Sequence, residues 1–189
     1  SMILSAEAEA ALLKPIDEYV GKIQKQIDAL RVDGSDKVRS LKNHIAIAKE
    51  DKNLTKEERA KIIAKDKADL EKAKSVESAN KDKVSKLISD AESYLSKHYK
   101  SDYYEKVVAS CEAEKAAENA SYDKIVATIK TEHEQALAKL SDSEEIKDEK
   151  YVYRNRLFDA QMTHESKLQE IKDRKHDAFA HKFHLIDLL

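Results

Sequence analysis

The sequence predicts an all-α protein, an elongated set of antiparallel helical hairpins forming a coiled-coil bundle of about four long helices. Three observations carry that expectation. The 189 residues include 2 Gly and 1 Pro, with none of either beyond Gly34, and sheets and tight turns lean on both residue types. Charged residues make up 38%, well above the roughly 25% of an ordinary domain, and Ala, Glu, Lys and Leu are abundant, as in long helices. Finally, apolar residues recur at alternating steps of three and four, which keeps one stripe of a helix facing a partner.

The first segment, approximately residues 5–51, shows the pattern at Ile16, Val20, Ile23, Ile27 and Leu30. Val38, Leu41 and Ile45 resume it one position out of phase, so a break, kink or restart is expected near Gly34. Gly21 weakens this helix by about 1 kcal/mol relative to Ala without ending it. A second segment, 55–99, opens on Thr55 with Glu58 three residues later, the capping-box spacing. Its seam runs through Leu70, Ala73, Glu77, Asn80, Val84, Leu87, Ala91, Tyr94 and His98, with polar residues in the middle that lower stability and can fix register. Asp102 followed by Glu105 suggests a cap and a third segment, 103–140, although no Gly or Pro enforces it, and one uninterrupted helix through this point is the alternative. The fourth, 144–188, starts behind Ser141 or Ser143, with Glu144 and Glu145 placed to favour the positive end of the helix. Each segment is about 60–65 Å long at 1.5 Å per residue. The whole is expected to be a single domain over residues 1–189.

Composition also excludes. Lys plus Arg (35) nearly balances Asp plus Glu (37), so the basic excess that phosphate contacts require is absent and nucleic acid is not an expected partner. No stretch reaches the roughly 18 apolar residues needed to span a bilayer. The lone Cys111 reads as a small buried apolar residue in a reducing, cytoplasmic setting. Two glycines cannot build a phosphate-cradling loop, so no catalysis and no cofactor are expected.

The C-terminal "KHDAFAHKFHLIDLL" holds the densest chemistry. Asp177, His181 and His184 share a helical face and form a weak candidate metal set, but one helix supplies too few ligands to close a site. Phe179, Phe183, Ile186 and Leu189 step along the same helix and are candidate interaction residues, packing on the first helix near Leu12, Leu13 and Ile16 or on another domain. Tyr103 and Tyr104, in the mid-chain tyrosine cluster, are further interaction candidates. His133, between Glu132 and Glu134, reads as part of a charged solvent face, because neighbours in sequence point apart on a helix.

The function expected from this pattern is that of a non-enzymatic interaction module, an antiparallel coiled coil acting as spacer, scaffold or docking arm. The alternative is a helical insertion or accessory domain of a larger bacterial protein such as a transporter subunit or ATPase. The motive is an engineered-looking start at Ser1-Met2 and an end inside an apolar run. A membrane-associated bundle is a weaker reading. The expected partner is a protein or parent domain, with self-association through coiled-coil seams a further option.

Overall fold

The computed structural model describes residues 2–189; Ser1 lies outside the described residues. Five α-helices follow in order, α1 (Ala6–Arg31), α2 (Lys37–Glu50), α3 (Lys56–His98), α4 (Glu105–Ala138) and α5 (Ser143–Asp187). No strand occurs among the described residues. α1 and α2 are joined by a π-helical turn at Val32–Asp36, and α3 and α4 by another at Tyr99–Tyr104. The backbone therefore makes three long helices, over 6–50, 56–138 and 143–187, and not the four expected.

Both π turns explain a feature of the sequence. A π turn admits one extra residue without breaking the helix. At Val32–Asp36 this absorbs the one-residue phase shift between Leu30 and Val38, so the helix neither stops nor restarts at Gly34. At Tyr99–Tyr104 the expected start behind Asp102 does not form, since no Gly or Pro stops the preceding helix. Buried side chains there fall every fourth residue, at Leu95, Tyr99, Tyr103, Val107 and Cys111. In an α-helix such steps drift about 40° each around the axis, and the wider π turn takes part of that drift back.

The chain forms two compact units. One comprises Leu13–Tyr99 with Phe183–Leu189 and is called here the Asp51 hairpin after its tip. The other takes the chain up to Leu12 together with Lys100–Lys182 and is called the Asp142 hairpin.

In the Asp51 hairpin, α1 and α2 run antiparallel to α3. Tyr19 stacks on Tyr94 with ring centroids 3.8 Å apart, Asn80 Nδ2 donates to the Leu30 carbonyl at 3.0 Å, and His44 meets Asp66 near the tip. Two apolar clusters fill the seam, Val38, Ile45, Leu70 and Ala73 toward the tip and Ile23, Ile27 and Ala91 toward the base. The tip closes as the sequence predicts, with the Thr55 hydroxyl accepting from the Glu58 amide at 3.1 Å. Arg59 Nη2 adds a bond to the Asp51 carbonyl at 2.7 Å.

The Asp142 hairpin pairs α4 with α5, again antiparallel: Glu132 meets Arg156 near the tip, Tyr122 meets His164, and Glu112 meets Lys175 at the base. Its tip is capped by Asp142, whose Oδ2 accepts from the Glu145 amide at 3.1 Å; the expected caps were Ser141 or Ser143. Asp is as good a cap as Ser and adds negative charge at the helix start. The N-terminal segment joins this hairpin at its base, where the Leu4 amide donates to Ser110 Oγ at 2.8 Å.

Candidate functional site

Asp177 and His184 are exposed and His181 is half-buried. No group of three or more His, Cys, Asp or Glu side chains positioned to hold a metal occurs among the described residues. The expected interaction residues divide. Ala178 and Leu185 turn inward, while Phe179 and Phe183 are 52% and 51% exposed. Ile186 is half-buried, and Leu189 packs on the base cluster of the Asp51 hairpin at Ile23 and Ile27. Arg31 Nη2 fixes that end by donating to the Leu189 carbonyl at 3.1 Å. Tyr103 is buried. Tyr104 is half-buried, its ring 6.2 Å from that of Phe179.

The seam of the Asp142 hairpin holds an arrangement the sequence reading missed. His133 stacks on Tyr153, centroids 3.9 Å apart, and its Nδ1 lies 3.2 Å from Glu149 Oε1. His164 stacks on Tyr122 at 4.0 Å, and its Nδ1 lies 3.1 Å from Glu118 Oε1. Both imidazoles are only 13% exposed, which corrects the expectation that His133 sits on a solvent face. Each helix thus lends a histidine to a Glu and a Tyr one turn apart on its partner. The residues repeat at a fixed offset: Glu149, Tyr153 and His164 each follow Glu118, Tyr122 and His133 by 31 positions. Applied to an antiparallel pair, that offset amounts to a local two-fold, and the two clamps bracket the buried Ile129. Where a bundle of ordinary composition would place Leu or Ile, this one places satisfied polar groups, which fix register at some cost in stability.

At the base, Arg174 bridges Glu9 and Glu114, and Lys175 Nζ reaches Glu112 Oε1 at 2.6 Å. Burial works against the Arg174 charge, but its hydrogen bonds to both carboxylates outweigh that and raise its pKa. Lys175 is raised chiefly by its hydrogen bond to Glu112, and Glu112 is lowered by the same bond. Cys111 lies fully buried beside this network, and desolvation pushes its thiol up. The junction ties three segments together through Glu9, Glu114 and Arg174.

The fold defines a class: an all-helical protein of long antiparallel hairpins. Residues 6–184 match the family described as the N-terminal domain of the ABC transporter permease MglC, and the chain belongs to that family. No curated protein and no solved structure matches it. The family agrees with the transporter-subunit alternative of the sequence analysis. No helix of the described residues is long and apolar enough to cross a membrane.

Proposed function

We propose that this chain is a non-catalytic accessory domain of an ABC transporter permease, a helical arm that docks the membrane component to another protein or holds it at a set spacing. The observation that supports this reading is the family match over nearly the whole chain, joined to helical hairpins whose apolar seams are supplemented by polar clamps. The polar clamps inside the Asp142 hairpin cost stability but fix register, which suits a part valued for its shape. The cytoplasmic side of the membrane is the setting we assign to it, and the single buried Cys111, with no disulfide in the chain, is compatible with that.

The test is retention. The purified domain, immobilised, is exposed to detergent-solubilised membranes of its source cell, and the retained proteins are identified by mass spectrometry. An ABC permease or its ATPase subunit should be enriched over a scrambled-seam control. Retention of soluble proteins alone, or turnover of a small molecule by the isolated domain, would overturn the proposal.

A further inference from the structure

The outer face of α5 carries a second seam. Tyr151, Phe158 and Met162 are 61%, 61% and 51% exposed, and Asn155 between them is exposed as well. Their steps of four, three and four repeat the coiled-coil spacing. On a helix of 3.6 residues per turn this stripe lies roughly opposite the one formed by Tyr153, Leu157, Ala160 and His164, which faces α4. The N-terminal segment reaches the hairpin at its base, through Ser110 and Arg174.

We propose that this stripe is a docking surface for a second copy of the same chain, joined in parallel about a two-fold axis along α5. Two features select that occupant and that direction. Written as a heptad, Tyr151 and Phe158 take d positions and Asn155 and Met162 take a positions. A parallel two-fold sets Asn155 against the Asn155 of the other copy, where the two amides can bond each other; an antiparallel one sets it against Phe158 and strands a polar group. The flanking charges give the same answer. Arg154 falls at g and Asp159 at the following e, the positions that face each other between parallel helices. An antiparallel pairing faces g with g, and the g residues Lys147, Arg154 and Gln161 offer Arg154 no acid. Both Arg154 and Asp159 are exposed, and no ion pair among the described residues engages either. A two-fold axis uses the pair twice. The seam spans under two heptads, so the association is weak and concentration-dependent. It does not depend on the permease reading.

Two measurements on the full chain test this. In the first, Met162→Cys is oxidised mildly. Parallel, in-register copies bring the two residue-162 positions within disulfide reach, whereas antiparallel copies hold them about 16 Å apart along the axis, beyond the roughly 7 Å limit between Cα atoms. The buried Cys111 leaves the parent chain as the uncross-linked control. In the second, sedimentation equilibrium follows dimerisation up to the millimolar range. Arg154→Asp should raise the dissociation constant about tenfold by setting like charges together twice. Adding Asp159→Arg should restore it, and Phe158→Glu should abolish the dimer. A chain that stays monomeric and uncross-linked overturns the proposal and leaves the face to a different partner. So does a dimer that survives Phe158→Glu, or one that the double charge reversal fails to rescue.

Discussion

Substituting the two glycines by alanine should move stability in opposite directions, although both lie in helices of the Asp51 hairpin. At Gly21 an added Cβ meets nothing within 4 Å, so Gly21→Ala gains the helix propensity of Ala, about 1 kcal/mol. At Gly34 the same Cβ would lie 3.0 Å from Glu77 Cα. That neighbour is backbone of the facing helix and cannot rotate away. The propensity gain of about 1 kcal/mol is still available, but separating two packed helices by a few tenths of an ångström costs about 1–3 kcal/mol. Gly34→Ala should therefore be destabilising by about 1 kcal/mol, leaving the variants roughly 2 kcal/mol apart. Urea unfolding followed by circular dichroism reads both through the same unit, with equal m-values expected. Equal stabilisation by the two substitutions would refute the argument, because the close approach at the π turn would then set nothing.

Three further outcomes follow from the Asp142 hairpin. Glu118→Ala removes the acceptor from a mostly buried imidazole and should cost about 1–3 kcal/mol, while the same change at the exposed Glu134 should cost less than about 0.5 kcal/mol; equal effects in thermal melts would show that the clamp contributes nothing. Cys111 should react with a thiol reagent at least about a hundredfold more slowly in the folded chain than in denaturant, since attack requires local opening. The sign of its pH effect follows from the raised thiol pKa. Its contribution to stability is present below the free thiol value of about 8.5 and fades as pH rises beyond it, because the unfolded chain ionises first. Cys111→Ala should flatten that alkaline limb, and an unchanged limb would assign it to other groups.

The seams were legible because they rest on residue type and period. Ile16, Val20, Ile23 and Ile27 are all buried as their spacing required, and Thr55 caps α3 because its hydroxyl and the Glu58 amide are neighbours in sequence. The π turns were not legible as structure. They have no residue signature, and a one-residue phase shift looks the same whether a helix breaks or widens. The clamps were hidden for a different reason. In sequence His133 sits beside Glu132 and Glu134, which it cannot face, while its acceptor, Glu149, lies on the opposite helix and becomes a neighbour only once the hairpin has folded.

That difference bears on how the fold is specified. Apolar mass alone would let two Ala-rich helices slide past each other by a heptad at little cost, since the period of the seam survives the slip. A slip would strand His133 and His164 away from Glu149 and Glu118 and would drive a Cβ-bearing residue into Glu77 in place of Gly34. The correct register is thus the one in which His133 and His164 find their carboxylates, and the wrong registers are penalised by groups left unpaired. Once the inner seams are accounted for in this way, the residues that pairing within the chain does not use become informative. On α5 those residues are Tyr151, Asn155, Phe158 and Met162, with Arg154 and Asp159 beside them, and their spacing follows the same rule as the seams that are filled.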